Sequence, residues 1–449
     1  MSIKKKILKN TFASSISKLF RVTEQLILVP FFIAAWGANY YGEWLTLTIF
    51  PTILAFSDLG FGTASANMMV LKYASSDYIG ASKMAKIGPL MTSTFVLIGF
   101  FISFLIIFSF YKFSFFDSLL IKKYDAIISL SFMMTAQLIG LFRQFYEGYF
   151  RIAQKSHQAM HLNNLYQFFN IFSGFIVLTF GGNVIHFSMT YFIVSILYTF
   201  LFVFLAKKKV LFKEIKFSSL LFDDIKNVAQ KGIGFMLSPL WQSIYFQGST
   251  FVVRIVLGPG AVAIFNTVRT LTRGVNQIYS IINVSVFPEI QFLIGQKKFP
   301  KVRLVFRYSL LITIFTAVLG VLFLFSFGLQ FYKFWTNNEL DPPIFMWNIF
   351  LLSICFNSIW WTSGVVFRAF NRPFRFVIAG FIASLFSVGL TFILSKSFGL
   401  IGASIGYIFL DVSLAFYILP LSCKMIGQNP LHLFKDFFMD FSMILKKNS

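Results

Sequence analysis

The chain has 449 residues, of which 57% are hydrophobic and only 12% charged, with 64 phenylalanines and a mean hydropathy of +0.76. A charged fraction about half that of ordinary soluble domains excludes that class and points to an all-helical, polytopic membrane protein. The formal net charge of +23 would suit a nucleic-acid binder, but its placement along the chain follows membrane topology instead.

A helix needs roughly 20 predominantly apolar residues to cross a bilayer. Twelve such spans are predicted, near 11–35, 44–70, 87–111, 126–150, 157–181, 184–206, 232–257, 261–293, 304–332, 344–368, 374–396 and 400–422. Lys4, Lys5, Lys6 and Lys9 precede a full-length span, not the short apolar core of a cleaved leader. With the N-terminus in the cytoplasm, 28 of the 39 Lys and Arg fall in cytoplasmic segments or span ends, five on the opposite side and six inside spans. This asymmetry predicts that both termini are cytoplasmic, and it accounts for the basic charge without nucleic acid. Cys355 and Cys423 imply neither a disulfide framework nor a metal site.

Span 1 carries Lys18, Arg21, Glu24 and Gln25 and should end in an external turn over 36–42. Span 2 holds Asp58-Leu59-Gly60-Phe61-Gly62 at its middle; no strand precedes the glycines, so close packing or a bend is expected in place of a nucleotide loop. A cytoplasmic connection over 80–86 leads to the wholly apolar span 3. Span 4 brings Arg143, Gln144 and Glu147 before a basic exit at Arg151. Arg143 and Glu147 are four apart on one face, which suits a salt bridge; a structural pair and a functional site both stay open. His157 and His161 share that spacing but lack a third ligand and the glutamate of a zinc protease, so they read as interfacial histidines.

The connection 207–231 shows helical spacing of Phe217, Leu220, Leu221, Ile225 and Val228, as a surface-lying amphipathic helix would. It divides an N-lobe (1–206) from a C-lobe (232–423), and the tail 424–449 repeats the amphipathic pattern. The lobes look duplicated. Residues 37–47 align without gaps on 258–268, Gly80-x-x-Lys83-x-x-Lys86 on Gly295-x-x-Lys298-x-x-Lys301, and Arg151-x-x-Gln154-Lys155 on Arg368-x-x-Asn371-Arg372. Six spans return the chain to its starting side, so the repeat should be parallel.

In the C-lobe, span 7 contains Gln247 and Arg254, and span 8 contains Arg269, Arg273, Asn276 and Gln277. Spacing by four puts Arg269, Arg273 and Gln277 on one stripe. Asp411 is alone in span 12. An ionisable group at bilayer depth costs about 3 kcal/mol, so exposing all six intramembrane cations to lipid would cost on the order of 18 kcal/mol. They should therefore face an internal cationic cavity, where Arg, whose planar multidentate donors match phosphate, suits an anionic cargo; for any single Arg a salt bridge that fixes helix packing is the alternative.

Lys9-Asn10, Pro30-Phe31-Phe32, Gly37-x-x-Tyr40-Tyr41-Gly42-x-Trp44 and Asp58-Leu59-Gly60-Phe61-Gly62-x-Ala64 resemble the start of bacterial oligosaccharide flippases of the O-antigen type. These belong to the multidrug, oligosaccharidyl-lipid and polysaccharide exporter (MOP) superfamily, and Leu257-Gly258-x-x-Ala261-Val262-x-x-Phe265 is similar as well. The resemblance implies two pseudo-symmetric six-helix lobes around the cationic cavity. It implies a protein of the bacterial cytoplasmic membrane that moves an oligosaccharide on undecaprenyl pyrophosphate to the periplasmic leaflet, alongside a glycan polymerase and chain-length machinery. On that basis Arg21, Arg254, Arg269 and Arg273 are assigned to the pyrophosphate, with Lys18 assisting, and Gln25, Gln247, Asn276 and Gln277 to sugars. Asp58 and Glu24, with Arg143 and Glu147, are the coupling or salt-bridge candidates. No cofactor is implied beyond a driving proton or sodium ion, which the resemblance does not choose between. The competing readings are a cation-coupled multidrug exporter of the same superfamily, whose cavity should be acidic, and a membrane glycan polymerase, which needs longer external loops.

Overall fold

A computed structural model describes residues 3–54, 60–212, 239–370, 372, 374–433, 435 and 436. No strand occurs among the described residues. The first of two compact units, Met1–Ser243, contains α1 (Ile3–Leu47), α2 (Ile49–Leu54), α3 (Phe61–Ala74), α4 (Tyr78–Lys112), α5 (Lys123–Ile152), α6 (Ser156–Thr179) and α7 (Val184–Lys207). The second, Ile244–Ser449, contains a π-helical turn at Ile244–Gly248, α8 (Ser249–Leu257), α9 (Pro259–Gly295) and α10 (Phe299–Phe323). A second π turn at Leu324–Gly328 follows, then α11 (Leu329–Trp335), α12 (Ile344–Ala369) and α13 (Phe374–Ile426).

Six helical runs among the described residues are long and apolar enough to cross a membrane: α4, α5, α7, the α10–α11 run, α12 and α13. At 53 residues, α13 is two predicted spans joined across Gly399. Helix α6 coincides with another, but Asn163, Asn164, Gln167 and Asn170 dilute its apolar character. In the first unit α5 packs on α7 and α3, α3 on α4, and α1 on α6, around Phe61, Met69, Ile87, Phe145 and Phe202. In the second, α12 packs on α13 and α9 on α10 and α12, around Ile290, Val302, Phe306, Val366 and Cys423. Leu97, Phe101, Phe104 and Phe108 stay exposed along α4. That is the face a membrane helix gives to lipid, which is as apolar as leucine itself.

The internal repeat has a conformational signature. Gly37 breaks α1 at φ 75, ψ 160, and its sequence partner Gly258 ends α8 at φ 87, ψ 178; this region is essentially confined to glycine. Nothing lies within 4 Å of a Cβ added at either, so backbone conformation and not crowding selects glycine. Downstream, Trp44 and Phe265 are both buried, and Thr46 and Thr267 each bond back one turn, to Gly42 O at 3.0 Å and Ala263 O at 2.6 Å. The ends of α5 and α12 also correspond: Lys155 N donates to Phe150 O at 2.8 Å and Arg372 N to Phe367 O at 3.0 Å, the same six-to-one closure.

Three expectations change. The external turn over 36–42 contracts to the single break at Gly37, and helix resumes at once. The connection over 80–86 is already helix, because Asp77 caps α4 and accepts from Gly80 N at 2.8 Å. The paired Gly80 and Gly295 therefore play different parts, one inside α4 and the other closing α9. The amphipathic linker falls largely in 213–238 and the tail beyond 436, outside the described residues.

The bonds from Gly80 N and then from Lys72 Nζ, at 3.1 Å, hold the Asp77 carboxyl below its ordinary range. A depressed folded pKa means that its contribution is present above the unfolded value and is lost as pH falls through the folded one. Replacing Asp77 by Ala should lower the thermal unfolding midpoint at neutral pH, since a cap is lost. Melting curves of the two proteins should converge as the pH is taken down through the acid range.

Candidate functional site: a buried arginine and carboxylate network in the second unit

The π turn at Ile244–Gly248 shifts the backbone out of the regular i−4 ladder. Phe246 O accepts Arg269 Nη1 at 3.0 Å. From α8, Thr250 Oγ1 accepts Arg269 Nη2 at 2.9 Å, and on α9 Asn266 Oδ1 accepts the same nitrogen. Three acceptors thus fix this guanidinium inside the unit.

One turn along α9, Arg273 is held differently. Its guanidinium carbon sits 3.9 Å from the centroid of the Phe246 ring, and its one hydrogen bond among the described residues is Nη1 to the Tyr407 hydroxyl at 3.4 Å. A ring face attracts the cation without using its N–H donors, so most of Arg273's five remain available to a ligand. Tyr407 stacks on Tyr245 at 4.4 Å.

Behind the arginines lies Asp411 on α13, 2% exposed. Its Oδ1 accepts from Asn357 Nδ2 at 2.9 Å and Trp360 Nε1 at 2.8 Å. Its Oδ2 takes the Ser353 hydroxyl at 2.5 Å and lies 3.4 Å from that of Tyr245. Asn357 Oδ1 in turn accepts from Asn276 Nδ2 at 3.1 Å and the Tyr279 hydroxyl at 2.5 Å. A carboxylate cannot be buried cheaply without such donors; here α12 and the π turn supply them, and α9 joins through Asn357.

The other sequence candidates distribute as follows. Arg254 is half-buried, one turn beyond Thr250 on α8; Gln247 lies in the π turn; Gln277 is exposed on α9. Asn276, expected to meet sugar, is tied into the Asp411 network. Lys18, Arg21, Glu24 and Gln25 fall on α1, but their side chains, like Asp58 altogether, lie outside the described residues. The pairing of Arg143 with Glu147 is not formed: the Arg143 guanidinium lies on the Tyr166 ring at 4.2 Å, and Nε reaches Gly140 O at 3.4 Å. Helix spacing permits that pair, but the aromatic face across on α6 takes the cation first. Sequence reasoning missed the partners of Asp411, which lie on α12 and the π turn, and the amides of α6, whose spacing of three to four was a readable signal.

Long apolar helices and the fold together define a multi-pass membrane protein with the fold seen in transporters of the MOP superfamily. Its fold matches a multidrug resistance MATE family transporter of that superfamily in an inward-facing conformation (TM-score 0.69, 16% identity, 91% of this chain and 94% of that one). It also matches an outward-facing MATE structure (0.63, 16%, 94% and 96%). A MOP superfamily transporter from Pyrococcus furiosus, described as having a binding pocket of reverse polarity, matches similarly (0.61, 17%, 96% and 96%). No curated protein matches the chain. The chain belongs to the family described as Polysaccharide biosynthesis protein, which it matches over residues 7–293.

Asp411→Ala should strand several buried donors at about 1–3 kcal/mol each, producing a large fall in the unfolding midpoint of the purified protein. Arg269→Met should also destabilise it measurably, whereas Arg273→Met, which forfeits one long hydrogen bond and the Phe246 ring contact but also removes the cost of burying a charge, should change the midpoint less.

Proposed function

We propose that this protein is a flippase that carries an oligosaccharide on undecaprenyl pyrophosphate across the bacterial cytoplasmic membrane, from the cytoplasmic to the periplasmic leaflet, with both termini in the cytoplasm. The observation that carries the reading is the contrast between the two arginines of α9. Arg269 gives three hydrogen bonds to protein acceptors, while Arg273 rests on Phe246 and gives one long hydrogen bond among the described residues. A pyrophosphate offers the anionic oxygens that such a planar donor fork matches. Membership of a polysaccharide biosynthesis family supports a glycan cargo, and the bias of basic residues toward one side supports the orientation. Arg254 and Gln247 would contribute from α8 and the π turn, and Arg21 and Lys18 from α1. A glycan polymerase and chain-length machinery would act on the delivered product.

The second reading, a cation-coupled multidrug exporter, draws on Asp411, a buried acid of the kind a cationic cargo or a coupling ion would seek.

Both readings meet one assay. Purified protein in proteoliposomes should translocate an undecaprenyl-pyrophosphate oligosaccharide, and Arg273→Ala should slow this roughly ten- to hundredfold, as expected for losing charge-assisted hydrogen bonds. Arg273→Lys should recover part of the rate. Efflux of a cationic dye, with the lipid-linked sugar left unmoved, would establish the exporter instead.

A further inference from the structure

The first unit contains two cavities that share Gln137 in their walls. One, of about 260 Å³, lies among Phe32, Trp44, Gln137, Asn170, Thr190 and Tyr191. The other, of about 350 Å³, lies among Gln137, Arg143, Glu147, Asn163, Tyr166 and Gln167. Gln167 and Asn170 are three apart on α6, so they follow one face of that helix from the second cavity into the first. The two cavities therefore form one polar seam along α5 and α6.

Its lining is costly for a membrane protein to keep. Gln167 Oε1, Asn170 Oδ1 and Arg143 Nη1 are buried and reach no hydrogen-bond partner among the described residues, and a buried polar group left unmatched is destabilising. Such groups call for a partner, which a ligand or an ordered water in the adjoining cavity would supply. The aromatic end is rigid: Trp44 meets Trp36 at 5.6 Å and Phe187 at 5.3 Å, both edge to face. Side-chain amides each offer donors and acceptors, the pattern that hydroxyl groups present in return. Flat aromatic walls suit the apolar C–H faces of a pyranose ring. The charged lining is one Arg and one Glu. That balance favours neither a cationic drug nor a free phosphate, and a seam of this size lies within the range of small-molecule sites.

We propose that the α5–α6 seam of the first unit is a saccharide-binding site. It rests on the reading of an oligosaccharide cargo and goes beyond it: the sugar is recognised by Gln137, Asn163, Gln167 and Asn170, not by Gln247, Asn276 and Gln277 of the second unit.

Saturation-transfer NMR tests this on the full-length protein in nanodiscs. The probe is the lipid-free repeat-unit oligosaccharide released by mild acid from the host's own undecaprenyl-pyrophosphate-linked intermediate, whose glycosyl pyrophosphate bond hydrolyses to free sugar and lipid pyrophosphate. Wild-type protein should transfer saturation to the sugar, and inorganic pyrophosphate should not compete. Gln137→Leu and Gln167→Leu should each weaken it at least tenfold. Gln167→Leu should unfold no earlier than wild type, because it replaces an unmatched amide by an apolar group of similar size. The near-isosteric Thr190→Val gives an independent test at the aromatic end and should also weaken the signal. No transfer in wild type, or equal transfer in the variants, overturns the proposal. Translocation of the lipid-linked oligosaccharide without sugar transfer overturns the seam and keeps the flippase; sugar transfer without translocation keeps the seam and overturns the flippase.

Discussion

The second unit is arranged around the need to bury one carboxylate. Asp411 is 2% exposed, and an ionised acid in such surroundings is tolerated only when donors replace its water. Ser353, Asn357 and Trp360 of α12 and Tyr245 of the π turn meet that demand, and Asn276 and Tyr279 extend the network to α9. The donors come from elements distant in sequence, so the network fixes the rotation of α9 about its own axis. That rotation decides where Arg273, three residues before Asn276, points. The partners of a buried acid thus bear on which way a cationic donor fork faces.

The arginines show how a membrane protein can keep a cation both buried and chemically available. An ion pair would spend the guanidinium's donors on a carboxylate and compete with any anionic ligand. An aromatic face satisfies the charge through the ring quadrupole and leaves the N–H groups in their own plane. Arg273 over Phe246 at 3.9 Å and Arg143 over Tyr166 at 4.2 Å adopt this arrangement, one in each unit. Arg269, beside the first, is held by a carbonyl, a hydroxyl and an amide and is tied into the scaffold more firmly. Sharing a helical stripe does not make two arginines equivalent. The acceptors across from each decide its role.

What the sequence made legible follows from what is local. Apolar length identified the helices, and the duplicated Gly37–Leu47 and Gly258–Val268 segments anticipated matching glycine breaks and a matching buried aromatic, because backbone conformation and packing there depend on neighbours in the chain. The start of α4 was misplaced because small residues over 80–86 look like a loop; the capping carboxylate of Asp77, three residues before Gly80, was the overlooked signal. Cationic positions on α9 were legible from spacing, but their division of labour was not, since it depends on Phe246, Thr250 and Tyr407 from other elements. Arg143 and Glu147 satisfied a sound spacing rule that tertiary contact overrode. Asp411 looked isolated because every donor to it is at least 51 residues away.

The amides of α6 carry the complementary lesson. A helix read only for length and charge registers 157–181 as a span, since Asn and Gln add no formal charge. In a membrane, however, every buried polar group needs a partner from within the protein or from a ligand. Asn163, Gln167 and Asn170 recur at one-turn spacing on a helix that could have been wholly apolar, as the middle of α4 is. Apolar replacements would pack there without an unmatched oxygen, so folding alone gives no reason to keep Gln167 Oε1 and Asn170 Oδ1. Neutral polar residues inside a span are therefore as informative as charged ones, and they report a different chemistry. Charges mark where an anion or a cation is held, whereas unmatched amides mark where hydroxyl groups can be counted and oriented.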